Sequence, residues 1–268
     1  MGLLDFALRP RKQEPQTPST PKAVFAIPPD RSLLHITHAK AASQWFRCIF
    51  RAAFGSAIVE PDPDGLVWFQ QGITPGKVYP CVFLSSLELA AAQLHGNIRR
   101  CVVIRDLRDT AVSAYFSLLA THRLETPMLV RWRMTLKGLS NEEGLMLIIE
   151  RFLSQIAVIQ RSWVESEEQV LHVEDFFTRP LEMFQLMFRR HFDLEIERPA
   201  VEALLARNNF ERYSGGRKTG EEDRNSHFRK GVAGDWRSHF TQDHVNRFKQ
   251  LYGPLLILTG YEENDRWG

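Results

Sequence analysis

Short, almost wholly apolar runs alternate along this chain with longer stretches of helical periodicity, and that alternation restricts the fold more than any other feature. The apolar runs fall at 32–38, 78–84, 101–104 and 170–173. Each is too short for a buried helix and is bounded by turn residues, so each reads as a strand. Cys101-Val102-Val103-Ile104 is continuous rather than alternating, the pattern of a strand covered on both faces. Helical segments follow at 44–51, at 86–95 (opened by Ser86 and stopped by Gly96) and at 110–121. A longer one at 142–163 sets Leu145, Ile148, Ile149, Phe152, Ile156 and Ile159 on one face. Further helices are expected at 181–191, 199–206 and 242–251. The pattern predicts a three-layer α/β fold, a central, mainly parallel sheet flanked by helices. Ligands of such sheets bind beyond the carboxyl ends of the strands.

A chain of 268 residues can hold one large domain. We expect that domain over 24–268, after a flexible tail at 1–23 whose Pro, Thr, Ser and Gln content cannot bury enough apolar surface to order itself. With 34 Lys and Arg against 32 Asp and Glu, the net charge of +2 argues against a nucleic-acid partner. Cys48, Cys81 and Cys101 are too widely spaced for a zinc site or a disulfide framework, and read as reduced thiols. Asp5 interrupts an apolar run already too short for a signal peptide, and no stretch has the length of a membrane span. The expectation is a cytoplasmic protein without a metal.

Three segments have the chemistry of anion binding. The first, His38-Ala39-Lys40-Ala41-Ala42-Ser43-Gln44-Trp45, joins a strand to a helix. Its small residues let backbone amides approach an anion, Lys40 adds a point charge, Ser43 a hydroxyl, and the helix N-terminus a partial positive charge. It lacks the GxxxxGK[ST] pattern of a Walker loop. The second, Arg105-Asp106-Leu107-Arg108-Asp109 with Ser113 one turn on, ends a buried strand in a guanidinium suited to phosphate. Read alone, it is equally an Arg/Asp lattice capping a helix. The third, Phe228-Arg229-Lys230-Gly231-Val232-Ala233-Gly234-Asp235-Trp236, closes the long polar stretch 208–234. Loops of that length in compact domains are usually functional or disordered.

In this order and spacing the three segments resemble the PAPS-dependent sulfotransferases, enzymes that use 3′-phosphoadenosine 5′-phosphosulfate (PAPS). The RKGxxGDW segment is the most specific part, Asn208-Asn209-Phe210 resembles the adenine-contacting stretch, and the similarity runs over 33–261. The resemblance implies a P-loop-NTPase-like fold and transfer of a sulfuryl group from PAPS, leaving PAP, to a hydroxyl or amine by in-line displacement. It implies that Lys40 faces the 5′-phosphosulfate and that the backbone of Ala41, Ala42, Ser43 and Gln44, with the Ser43 hydroxyl, holds the 5′-phosphate. Arg105, Ser113 and Arg229 would take the 3′-phosphate, assisted by Lys230 and Gly231. Trp45 and Phe210 would flank the adenine.

Two departures stand out. The family's loop often reads Lys-Ser-Gly-Thr-Thr-Trp, whereas Ala41, Ala42 and Gln44 stand here. Many members carry a His after the second strand, and the run from Cys81 to Glu88 has none. The general base is then sought first at His122, next at Glu88, then at His38. The missing His keeps open a catalytically degenerate nucleotide-binding module, and a small-molecule kinase is a more distant alternative. The expected acceptor is a small molecule, lipid or glycan, and 124–141, with Arg131, Trp132, Arg133 and Lys137, reads either as the cover of its mouth or as a solvated helix face. A homodimer is neither required nor excluded by the sequence.

Overall fold

The computed structural model describes residues 25–60 and 72–268. The expected tail at 1–23, and residues 61–71 of the loop before the second strand, lie outside them. Four strands form one sheet: β1 (Arg31–Ile36), β2 (Val78–Val82), β3 (Asn97–Ile104) and β4 (Val170–His172). Their order is β2-β1-β3-β4 and every pairing is parallel. From β1 the chain passes to one side for β2, then crosses to the other side for β3. The crevice between the ends of β1 and β3 is therefore the topological switch point, where such sheets bind ligands.

Alternate residues of the strands enter different cores. Leu33, Cys101, Val103 and Leu171 meet the helix α1 (Ser43–Phe54) on one face. Leu34, Ile36, Tyr79, Val82 and Val102 pack with Trp163 and Leu89 on the other. Both faces are covered, as the unbroken run at 101–104 requires. The expected three-layer α/β architecture is the observed one.

Helix α1 buries Phe46, Ile49, Phe50, Ala53 and Phe54, an i, i+3, i+4, i+7, i+8 stripe. Those rings interlock with Phe176, Phe184, Phe188 and Phe192, all fully buried. Truncating one such ring costs about 3–5 kcal/mol, so the start of α1 stands on a rigid base. Next come α2 (Ser86–Ala91), α3 (Leu107–Phe116) and α4 (Pro127–Lys137). Helix α3 begins three residues earlier than the sequence suggests, because the Asp106 side chain caps it by accepting from the Arg108 amide at 2.8 Å. It then widens into a π-turn at Ser117–Thr121.

The long helix expected at 142–163 is α5 (Asn141–Leu147) and α6 (Leu153–Val164), joined through a second π-turn at Ile148–Phe152. Beyond β4 lie α7 (Val173–Thr178), α8 (Pro180–Leu186), α9 (Arg198–Ala206), the short α10 (Phe210–Ser214) and α11 (Gln242–Leu258). Helix α11 outruns its expected end at 251 because Pro254 is accommodated inside it.

Candidate active site

The loop after β1 is held in a conformation that L-residues seldom adopt. Lys40 has φ 69° and Ala42, the N-cap of α1, has φ 55°. Two left-handed residues turn the chain sharply, so that the first amides of α1, which have no intrahelical partner, stand at the switch point. The loop is braced from beneath by His38, which is fully buried. Its Nδ1 donates to the Ala39 carbonyl at 2.9 Å, and its Nε2 accepts from the Arg105 amide at 3.1 Å. Burial, with the charge of Arg105 adding to it against the Ala39 carbonyl, lowers the imidazole to about 4. His38 is thus a neutral strut between the ends of β1 and β3, with both ring nitrogens engaged.

Arg105 reaches back across the crevice, its Nη1 donating to the Lys40 carbonyl at 3.0 Å. Burial first, and Arg105 second, pull the Lys40 ammonium down to about 8. Along 105–116 only Arg105 and Ser113 escape full burial. They are the two partly exposed positions of that stretch, and both were expected to contact phosphate.

The third segment is fastened to the second by Asp109, which is 1 % exposed and lies 4.0 Å from Arg105. One carboxylate oxygen accepts from the Gly234 amide at 2.7 Å and the other from the Trp236 amide at 3.0 Å. Burial raises the Asp109 carboxyl, with Arg105 opposing. Behind it, the buried Arg108 guanidinium lies between the rings of Trp236, 4.3 Å away, and Trp267, 4.5 Å away, and is neutralised by Asp106 and Glu262. The Arg229 guanidinium sits 4.7 Å over the Phe116 ring, one turn from Ser113. The Lys40 loop, the stretch that carries Arg105 and Ser113, and the Arg229 segment are thereby linked from three distant parts of the chain.

Asp235 orders the cations of this segment. It accepts from Arg229 and from Lys230, at 2.5 Å in the latter case, with His239 at 3.4 Å. Burial pushes its carboxyl upward, but hydrogen bonds from His239, Lys230 and Arg229 overcome that and hold it far below the usual range. Gly231 has φ 69°, and a Cβ there would meet the Phe210 ring at 2.6 Å, so glycine is required for the approach of Phe210. Trp45 donates its indole N–H to the Asn208 carbonyl at 2.9 Å, bringing the first segment alongside the stretch that leads to Phe210.

The family model described as the sulfotransferase domain matches residues 84–260. The chain belongs to the sulfotransferase domain family. Among solved structures, this sulfotransferase is similar to mouse sulfotransferase SULT7A1 complexed with PAP. That likeness has 15 % identity and a TM-score of 0.61, over 88 % of this chain and 91 % of that one. It is also similar to retinol dehydratase in a complex with retinol and PAP, at 13 % identity and a TM-score of 0.53, over 93 % of this chain and 85 % of the other. At these identities the likeness concerns the fold. No curated protein sequence matches the chain.

The candidates for a base occupy very different surroundings in the sulfotransferase. Glu88 is spent on a capping box: its carboxylate accepts from the Ser85 amide at 2.8 Å and the Ser85 hydroxyl at 2.7 Å. Phe83, 43 % exposed, follows the end of β2 where many members carry their His. His122 closes the π-turn that extends α3, its carbonyl accepting from Arg133 at 2.6 Å. Burial lowers its imidazole, the Arg123 carbonyl opposes, and the charges of Lys40 and Arg133 lower it further. His227, which sequence reasoning passed over, responds to the same neighbourhood. Burial of its ring, then Lys40, His122 and Arg123, hold it below the usual histidine range. Its only signal in the sequence was its place two residues before Arg229. Asp109 also went unassigned, although its i, i+4 spacing from Arg105 was visible.

Among the described residues no helix is long and apolar enough to cross a membrane.

Proposed function

We propose that this sulfotransferase transfers the sulfuryl group of PAPS to a hydroxyl or amine of a small-molecule acceptor by in-line displacement. The observation that supports the reading most is the chain of contacts from Lys40 through Arg105 and Asp109 to Gly234 and Trp236. It draws a lysine loop, an Arg–Ser helix and an Arg–Lys–Gly loop to one switch point. Three cationic groups on separate elements suit a nucleotide with phosphate at both its 3′ and its 5′ side. Arg105, Ser113 and Arg229, with Lys230 and the amide of Gly231, grip the 3′-phosphate. The backbone of Ala41, Ala42, Ser43 and Gln44 holds the 5′-phosphate, and Trp45 and Phe210 flank the base.

Sulfuryl transfer passes through a loose transition state whose charge lies on peripheral oxygens, so catalysis is alignment and electrostatics. Lys40 neutralises charge on the departing oxygen. His122, neutral and electrostatically coupled to Lys40, takes the acceptor proton. Glu88 is already engaged as a cap and His38 as a strut, so neither is left for that task. Both similar structures carry PAP, one of them together with retinol, which favours a small amphiphilic acceptor over a glycan. We take the enzyme to act in the cytoplasm, where its three thiols remain reduced.

The test is transfer from sulfur-labelled PAPS to a panel of phenols, alcohols, amines, lipids and glycans, alongside calorimetric binding of PAP. We expect labelled product with the wild-type chain and a loss of about 100-fold or more with Lys40→Ala. PAP binding without any product would leave a nucleotide-binding module, and no PAP binding would overturn the reading altogether.

A further inference from the structure

Arg229 carries two carboxylates on one guanidinium. Its Nη2 donates to Asp235 and its Nη1 to Glu222. The two acids differ in every other respect. The Asp235 side chain is 2 % exposed and shared among Arg229, Lys230 and His239, so it holds the loop together from inside. The Glu222 side chain is 27 % exposed and has one further partner, Arg224 at 3.3 Å.

The charges around the crevice make Glu222 conspicuous. Asp109, Asp235 and Glu222 are the carboxylates paired with Arg105, Arg229 and Lys230, and Glu222 is the most exposed of the three acids. Asp109 and Asp235 are fixed by backbone amides or by several cations and cannot leave without unmaking the loop. Glu222 can leave by rotating its own side chain. The backbone that carries it is secured independently. Arg217 donates to the carbonyls of Phe228 at 2.6 Å and of Glu221 and Arg229 at 2.8 Å each. The Asp223 amide donates to the Arg229 carbonyl at 2.9 Å, and the Gly220 amide to that of Lys230, also at 2.9 Å.

We propose that Glu222 is a built-in competitor for the donor's 3′-phosphate: its carboxylate holds the Arg229 donor that the phosphate needs, and gives it up as the phosphate arrives. Glu222 thus sets donor affinity, and sets it only for nucleotides phosphorylated at the 3′ position. The inference rests on the reading that Arg229 receives the 3′-phosphate. With the carboxylate gone, one anion fewer opposes the incoming dianion, and an Arg229 donor is free in advance.

Calorimetric titration of PAP and of AMP, which lacks the 3′-phosphate, into wild type and Glu222→Gln tests this. We expect PAP to bind the variant about tenfold tighter, a change on the order of 1.4 kcal/mol, with AMP binding changed less than about twofold. Asp235→Asn, on the same guanidinium, should act in the opposite sense and weaken PAP. A thermal melt checks that Glu222→Gln folds, as the Arg217 hub leads us to expect. If Glu222 merely braces Arg229, the glutamine variant binds PAP more weakly or no differently, and the proposal fails. Equal tightening of PAP and AMP would also overturn it, since the effect would then be general electrostatics. If PAP binds neither protein, the donor reading itself falls, and this inference with it.

Discussion

At the scale of single residues, two titrations with opposite consequences bracket the reaction. In the proposed mechanism Lys40 acts in its charged form, and burial beside Arg105 has brought it to about 8, so its contribution is present below that pH and lost as pH rises through it. In the same proposal His122 acts in its neutral form, and burial with Lys40 and Arg133 has moved it below the usual histidine value, so its contribution is lost only as pH falls past that lowered point. The expected profile of kcat/KM is a bell whose alkaline limb lies near 8 and whose acid limb lies below 6.5. Lys40→Arg should move the alkaline limb out of reach while leaving the acid limb in place. His122→Ala should remove the acid limb and lower kcat by roughly 100-fold or more. A profile in which His122→Ala leaves the acid limb untouched would assign the proton to another group. Residue identities such as Lys40, Arg105 and Arg229 were legible because their chemistry and order are distinctive. The engagement of His38 Nε2 by an amide 67 positions further along, and the vicinity of His227 to Lys40 and His122, were not, since no local pattern records contacts so distant in the chain.

At the scale of elements, the strands and the principal helices were readable because burial on two faces leaves an unmistakable apolar run. The π-turns at Ser117–Thr121, Ile148–Phe152 and Met187–His191 were not, because a widened turn keeps nearly the same apolar spacing as the helix it interrupts. The loop after β1 is the most informative element. At position 42 alanine stands where the family's loop often has glycine. The structure puts Ala42 at φ 55° all the same, because α1 is fixed by its phenylalanine stripe and the loop has to meet it. A left-handed alanine costs about 1 kcal/mol or more. Ala42→Gly should therefore stabilise the protein by about 1 kcal/mol in denaturant titration, the extra entropy of a glycine offsetting part of the relief. Affinity for PAP should be retained. A variant less stable than wild type would mean that the Ala42 methyl group packs more favourably than its backbone is strained.

At the scale of the whole molecule, β1 and the loop after it carry two histidines that resist protonation in place. His35 and His38 are fully buried and lowered to about 3 and about 4. In the unfolded chain each takes up a proton below about 6.5, so their folded-state preference for neutrality costs stability progressively as pH falls below that value. Between pH 7 and 5 the loss should be about 2 kcal/mol for each. The raised carboxyls of Asp109 and Glu174 act in the opposite sense and soften the fall. Urea midpoints at the two pH values should show the drop. His35→Gln, which keeps an acceptor for the Cys81 amide, should flatten it by about half; an unchanged slope would exclude His35 as a contributor. A different consequence follows from Asp109, one carboxylate holding two amides that lie 125 and 127 positions further along. Substitutions near 105–113 and near 229–236 will behave as changes to a single organ: their penalties will overlap instead of summing, and over generations each region can drift only in step with the other.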